Sequence, residues 1–442
     1  MSGLVGMISR LPNALCARIV KSMVKTVLHE SFYRHGTYSD KELFCHVGWT
    51  CHQGSFDDCL PIFNERGNII LFFVGEAFLG SDLISDLKKN GHEFSESNAS
   101  YLVHLYEELG DCFFEKLNGS FSGILIDKRL DKSFLFNDRF GMHRLFIHSS
   151  KEGFFFSTEA KALLAVLPET RQFDHKGVME LVTCGCTLDK RSLFKDIEVL
   201  PGGSLLQFEN GKLLYKKSYF SREAWEEQEH LPAKDFSNIY INLLREKTKK
   251  FFWQGETAAV SLTGGFDSRI LMACLDPSPG SLACYTFGSM YRNTQDVKVA
   301  RQVAKACGQK HHVLVVGQEF LDNLPTYLEK AVFLSDGYLG FSGAAELYAN
   351  KLARDISPVR LTGNWGSELL RGVRAFKFDP PIVGFFHPDL QIYLDEVKST
   401  FDQATKMNPV SFVAFYQAPN QSYGRHAIEQ SQITPRTPFL DN

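Results

Sequence analysis

Between residues 258 and 361 short apolar runs alternate with helix-length stretches, and few folds accommodate that order. Residues 258–262, 282–287, 312–316 and 359–361 read as buried strands. A stretch starting at Ser268, then 296–307, 323–333 and 344–354, read as the helices between and after them. Such alternation predicts a parallel sheet with helices on both faces. In sheets of this kind ligands bind at the C-terminal ends of the strands. The first 200 residues have a different grain. Residues 68–74 form an apolar run suited to a buried strand, and 81–90 and 100–110 read as helices, the second stopped by Gly110. Residues 121–127, 133–137, 145–148 and 153–157 are short β segments parted by charged or glycine turns, which predicts a meander in one antiparallel sheet. Leu200-Pro201-Gly202-Gly203-Ser204 is a strong turn signal. Around 221–238 the chain becomes charged and poor in β-branched residues, so the domain linker is placed there, before a helix at 236–252.

Composition narrows the class. At roughly 150 residues per domain, 442 residues make two large domains or about three. Apolar residues are 44% and charged residues 22%, as in soluble globular proteins. With 48 Lys plus Arg against 51 Asp plus Glu, there is no global basic field to draw nucleic acid. No run reaches 18 apolar residues, and Met1-Ser2-Gly3-Leu4-Val5-Gly6 lacks the charged-then-apolar build of a signal peptide, so no membrane partner is expected. The ten Cys include no Cys-x-x-Cys; only Cys184-Gly185-Cys186 is close, so they read as buried thiols rather than a zinc site. A reduced, cytoplasmic enzyme is the expectation.

The sharpest local feature is Ser261-Leu262-Thr263-Gly264-Gly265-Phe266-Asp267-Ser268, where a strand gives way to a helix. Two glycines allow a tight turn that aims backbone N–H groups at an anion. Thr263 and Ser268 add hydroxyls, and the following helix N-terminus favours phosphate. Asp267 repels phosphate but suits a Mg²⁺ bridging phosphates. The Lys of a Walker A loop is absent, so the loop should hold pyrophosphate in AMP-forming chemistry. The plainer reading is a glycine turn with a helix cap.

Thr263-Gly264-Gly265-Phe266-Asp267-Ser268 resembles the pyrophosphate loop of the asparagine synthetase family, whose first position is usually Ser. The resemblance runs along the chain. Asn137-Asp138-Arg139-Phe140-Gly141 and Phe156-Ser157-Thr158-Glu159-Ala160-Lys161-Ala162-Leu163 look like its glutaminase-domain core, and Leu200-Pro201-Gly202-Gly203-Ser204 like the segment closing that domain. Ala300-Arg301-Gln302-Val303-Ala304 with His311-His312, and Arg436-Thr437-Pro438-Phe439-Leu440-Asp441, resemble later family segments. The resemblance implies an α+β N-terminal-nucleophile amidotransferase-like domain over 1–215, its antiparallel sheets sandwiched by helices. An α/β pyrophosphate-loop ATPase domain with a doubly wound parallel sheet would occupy 230–442. It implies ATP at Leu262, Thr263, Gly264, Gly265, Asp267, Ser268, Phe287, Thr362 and Gly363, with Asp267 and Glu368 as catalytic and Mg²⁺-binding carboxylates.

Departures from the family pattern matter as much. The family's nucleophilic Cys is Ser2 here, and a hydroxyl is a far poorer nucleophile near neutral pH. The family's Asn-Gly-Glu aligns with Val74-Gly75-Glu76, and Val74 lacks an oxyanion donor worth roughly 3 kcal/mol. Its Asp that grips the glutamine amine is Asn98, and its carboxylate-holding Arg is missing near Trp49. These losses point to a glutaminase domain without activity. In the second half of the ATP site the family's Ser-Gly-Glu-Gly-x-Asp-Glu becomes Thr362-Gly363-Asn364-Trp365-Gly366-Ser367-Glu368. Asn364 and Ser367 replace two carboxylates, while Glu368 is either a metal ligand or a solvated helix-start carboxylate.

The expectation is an ATP-dependent amide-forming ligase that activates a carboxylate as an acyl-adenylate and takes nitrogen from ammonia or an amine. The alternative is a non-catalytic nucleotide-binding relative serving as a scaffold or regulatory subunit. A tRNA- or nucleotide-modifying ligase is disfavoured by the lack of a basic patch. Asp336 and Tyr338 lie where the family builds its acyl-substrate pocket, and either residue could instead be structural. A homodimer is allowed by the resemblance. The family also continues beyond its Arg-x-Pro-Phe-Leu-Asp segment into a Lys-bearing helical stretch, so a truncation after Asn442 is expected.

Overall fold

The computed structural model describes residues 2–441 except 253–255, 372–376, 381–383 and 385. The chain divides into two compact units: Ser2–Arg222 with Phe376–Gln421, and Glu223–Ala375 with Ser422–Asp441.

The first unit holds β1 (Gly3–Ile8), β2 (Tyr33–Asp40), β3 (Cys45–His52), β4 (Ile62–Phe63), β5 (Ile69–Ala77) and β6 (Gly119–Asp127). It continues with β7 (Lys132–Asn137), β8 (Phe146–Ser150), β9 (Gly153–Ser157), β10 (Glu198–Val199), β11 (Ser204–Glu209) and β12 (Lys212–Ser218). They form two six-stranded sheets, ordered β10-β8-β9-β1-β3-β2 and β12-β11-β7-β6-β5-β4. The period-2 pattern of strands puts alternate side chains on one face. Ile70, Phe72, Val74, Ile124 and Ile126 from one sheet thereby meet Leu4, Ile8, Val47, Phe154 and Phe156 from the other in a shared core. On the outer side of β5, Phe73 stacks on Phe121 at 5.1 Å and meets Phe56, which in turn contacts Tyr101 of the helix Tyr101–Leu109. The helix Asn13–Val27 covers the other sheet; its Val20 and Val24 fill the space a side chain on Gly48 would need. This is the expected helix-sandwiched pair of antiparallel sheets.

The four short segments expected as one meander lie instead in both sheets. β6 and β7 pair in one, and β8 and β9 in the other. The crossover is built around Asp138. Its buried carboxylate accepts the N–H groups of Phe140 and Met142 at 3.0 Å and of His143 at 2.8 Å. Burial lifts its pKa to about 6, against the pull of those bonds. Asn137 fixes the neighbouring turn, donating to Pro201 O at 3.0 Å and accepting from Ser204 N at 2.9 Å. A Cβ on Gly202 would lie 2.4 Å from Phe140 C, so the 137–141 and 200–204 strings meet backbone to backbone. The second unit is built from two stretches of chain. Val397, Ala404 and Phe412 pack on Met179, Cys184, Cys186 and Leu188, which draws Phe376–Gln421 into the first unit.

The second unit carries β13 (Ala258–Ser261), β14 (Ala283–Ser289), β15 (His311–Val316), β16 (Val359–Leu361) and β17 (Thr434–Arg436), all parallel in the order β15-β14-β13-β16-β17. Ala259, Tyr285 and Leu314 pack on Ala353 of the helix Gly343–Arg354. The strand order reverses direction at β13, between β14 and β16, which is the position where such sheets open a crevice. β17 was not anticipated. Arg436 anchors it, donating to Phe251 O at 2.7 Å and to both Glu256 oxygens at 2.5 and 2.8 Å.

Candidate functional site

In the second unit the 263–268 loop leaves the C-terminal end of β13 and enters the helix Phe266–Leu275, with Gly265 in the cap position. Leu262 is buried and extends the sheet, its N–H on Tyr285 O at 2.9 Å. The loop then bonds to itself. Thr263 N donates to the Ser268 hydroxyl at 3.1 Å, and Gly265 N donates to the Thr263 hydroxyl at 3.1 Å. Gly264 N reaches across to Asp296 Oδ1 at 2.9 Å, in the first turn of the helix Gln295–Ala306. Thr263 and Ser268 were expected as phosphate-facing hydroxyls; here they brace the turn.

The next loop leaves β16 beside it. Thr362 N donates to Arg436 O at 2.9 Å, and the Thr362 hydroxyl to Asn364 Oδ1 at 2.9 Å. A Cβ on Gly363 would stand 2.7 Å from Ser268 N and 2.8 Å from Asp267 C, so only glycine permits this approach. The Ser367 hydroxyl donates to Asp267 Oδ1 at 3.0 Å and Oδ2 at 2.9 Å. Glu368 stands in the first turn of the short helix Gly366–Arg371, and the bond that ties this loop to Asp267 comes from Ser367. Trp365 holds φ +74°, a left-handed conformation that a bulky side chain rarely adopts. Phe287 sits near the end of β14, 39% exposed, with the Arg360 guanidinium 5.8 Å from its ring centre. The sheet therefore brings Leu262, Thr263, Gly264, Gly265, Asp267, Ser268, Thr362 and Gly363 to one end of adjacent strands, with Phe287 on the next strand over. Asp336 and Tyr338 have structural partners: Tyr423 donates to Asp336 Oδ2 at 2.8 Å, and the Tyr338 and Tyr423 rings lie 5.1 Å apart.

In the first unit Ser2 leads directly into β1. Val74 points into the core between the sheets, fully buried. Gly75 has φ +105°, and a Cβ there would lie 2.2 Å from Ser120 O. Its N–H donates to Asp57 Oδ2 at 2.9 Å. Asp57 is 1% exposed, bonds the Ser55 and Ser2 side chains, and has its pKa pushed up to about 6 by burial. An acidic group thus already holds the Gly75 N–H. Glu76 is buried on the same strand. Asn98 Oδ1 accepts Ser100 N at 3.0 Å, just before the helix Tyr101–Leu109. Trp49 packs on Phe72 at 5.3 Å and over Gly36, inside the core. Asp57, Asp296 and the Ser367–Asp267 bond were not singled out by sequence reasoning. Only the first-turn position of Asp296, after Thr294, left a local trace.

A family model described as glutamine amidotransferase domain matches residues 1–220, and one described as asparagine synthase matches residues 242–437. The chain belongs to the asparagine synthetase family. Glutamine-hydrolyzing asparagine synthetase 2 of Bacillus subtilis (strain 168) is 27% identical over 331 residues, 71% of this chain and 44% of that protein. Asparagine synthetase 1 of the same organism is 23% identical over 391 residues, 85% and 60% respectively. A Zea mays asparagine synthetase is 27% identical over 267 residues, 57% and 39%. This asparagine synthetase family member thus spans about half the length of the curated relatives it matches. Among solved structures, a Bacillus subtilis glutamine phosphoribosylpyrophosphate amidotransferase with ADP and GMP is similar at TM-score 0.34 and 13% identity, over 71% of this chain and 65% of that one. An NH3-dependent NAD synthetase from Campylobacter jejuni is similar at TM-score 0.24 and 14% identity, over 43% and 94%. Among the described residues no helix is long and apolar enough to cross a membrane.

Proposed function

We propose that the second unit binds Mg²⁺·ATP at the 263–268 loop and serves an amide-forming ligase reaction of the asparagine synthetase type. A substrate carboxylate would attack the α-phosphorus of ATP, leaving pyrophosphate in the loop and forming an acyl-adenylate. Ammonia or an amine would then displace AMP. What carries this reading is the meeting of the 263–268 and 362–368 loops at the ends of adjacent parallel strands, with Asp267 between them. Asp267 offers one carboxylate, which suits a Mg²⁺ that keeps waters and nucleotide phosphates as its other ligands. Bound there, the ion would neutralise phosphate charge. Glu368 is the second candidate ligand. We read the first unit as a glutaminase fold without glutaminase activity, because Ser2, Val74 and Asn98 replace the expected groups and Asp57 holds the Gly75 N–H. Ten free cysteines accord with a reducing, cytoplasmic setting.

The second reading, a non-catalytic nucleotide-binding relative, is favoured by two contacts. Ser367 stands where a second carboxylate would bind metal, and Asp296 holds the Gly264 N–H. Exchange of labelled pyrophosphate into ATP, scanned over amino acids, separates the two. Exchange dependent on one acid supports the ligase. Calorimetric Mg²⁺·ATP binding without exchange supports the second reading, and neither result rejects both.

A further inference from the structure

We propose that Glu65, His92, His104 and Glu107 form a binding site for a divalent transition ion, Zn²⁺ above all, that clamps the segment carrying Asn98. Each of the four offers one ligand atom, and these atoms all lie within 4.8 Å of one another. Ligands about 2.0–2.2 Å from a tetrahedral Zn²⁺ are roughly 3.4 Å apart, so closure needs small side-chain rotations. Two imidazoles and two carboxylates suit Zn²⁺ better than the all-oxygen shells of Ca²⁺ or Mg²⁺.

Each side chain reaches the cluster from a different constraint. His104 and Glu107 stand three apart on the helix Tyr101–Leu109, which places them on one face. Glu65 comes from the turn after β4, and His92 from the loop after the helix Ser81–Lys89. The His92 and His104 rings lie 4.7 Å apart at 31°. Outer partners orient two of the candidates. Glu108 Oε1 sits 3.0 Å from His92 Nε2, and Asn64 donates to Glu107 Oε1 at 3.1 Å. Such outer bonds are how metal ligands are aimed. His92 Nδ1 and Glu65 Oε1 meet at 3.1 Å, a contact that an ion would replace, and two other inner atoms are left over. Glu107 Oε2 is buried without a hydrogen bond. His104 is 3% exposed, and its Nδ1 lies 3.3 Å from Glu65 Oε2 without hydrogen-bond geometry. Three carboxylates, Glu65, Glu107 and Glu108, surround two imidazoles, while Arg129 near Glu107 is committed to Asp127 at 2.7 and 3.0 Å. A dication balances that charge. Because Asn98 lies between His92 and His104, the ion would fix both ends of its segment.

The test uses the full chain, stripped with EDTA and titrated with ZnCl2 by calorimetry. Because ten free thiols also bind zinc, the comparison is with His92→Ala and Glu107→Gln, both at half-buried positions, with circular dichroism confirming their fold. The expected result is one Zn²⁺ equivalent that each variant weakens at least tenfold and Glu108→Gln weakens about tenfold. Co²⁺ in place of Zn²⁺ should give the intense visible bands of a tetrahedral site, and Zn²⁺ should protect the 92–104 segment from limited proteolysis. Equal Zn²⁺ uptake by wild type and variants overturns the site, and binding without protection overturns the clamp.

Discussion

Replacing Ser367 with aspartate probes how the two loops of the nucleotide site are held together. The Ser367 hydroxyl donates to both Asp267 oxygens, at 3.0 and 2.9 Å. A hydrogen bond to a charged acceptor contributes about 1.5–3 kcal/mol. In S367D that bond is lost and a second carboxylate faces the first. Two like charges at about 4 Å repel by about 4 kcal/mol at an effective dielectric constant of about 20. Both positions are half-buried, so solvent and partial protonation relieve much of the repulsion. The net loss expected in EDTA is about 2–3 kcal/mol, or a Tm lower by about 5–10 °C for a unit of this size. Magnesium should reverse it, since the variant has two carboxylates to offer: at a hundredfold excess over Kd, binding restores about 2.7 kcal/mol. Ser367→Ala is the control, losing the bond without adding charge or a magnesium response. Thermal unfolding followed by circular dichroism, with EDTA or MgCl2, reads all three proteins. If S367D melts with wild type in EDTA, or if Mg²⁺ raises every protein equally, the Asp267–Ser367 contact is not what joins the loops.

Asp267→Ala should weaken Mg²⁺·ATP binding at least tenfold by calorimetry; unchanged affinity would mean the 263–268 loop is only a turn. Glutamate release from glutamine should not exceed the protein-free rate, and Ser2→Cys alone should not raise it; Val74→Asn with Asn98→Asp would also be needed. Hydrolysis by the unaltered chain would sink the reading of the first unit. Asp57, lifted to about 6, stabilises the fold when protonated, so its contribution is full below pH 4 and is lost as pH rises through about 6. Asp57→Asn should therefore gain on wild type in Tm between pH 4 and pH 7, and a constant difference across that range would contradict the burial argument.

The elements built on local periodicity were legible. β13 to β16 and their helices follow from apolar runs and breakers that lie within a dozen residues of one another. The placement of β8 and β9 was not, because a hairpin looks the same in either sheet; what sends it across is a carboxylate at Asp138 collecting N–H groups from the turn after it. β17 is three residues long, too short to show a period. At the site, the glycines and Asp267 were legible because strand, turn and helix succeed one another there. The partners of those residues were not: Ser367 lies a hundred positions from Asp267, and Asp57 eighteen from Gly75. The Glu65, His92, His104 and Glu107 cluster was not singled out in the sequence, because Glu65 and His92 join His104 and Glu107 only through folding.

The return of Phe376–Gln421 to the first unit has a consequence for synthesis. Met179 and Leu188 leave the ribosome long before Phe412, their partner in one apolar cluster. At about 5–20 residues per second the interval is on the order of 10–45 s. During that time the first unit's two sheets can close, but one flank stays bare, and the second unit begins to form in between. A nascent chain paused or cleaved after Arg222 would carry that bare flank permanently. Quality control in the cell would therefore meet this protein as a late finisher, whose earliest-made part is among the last to be sealed.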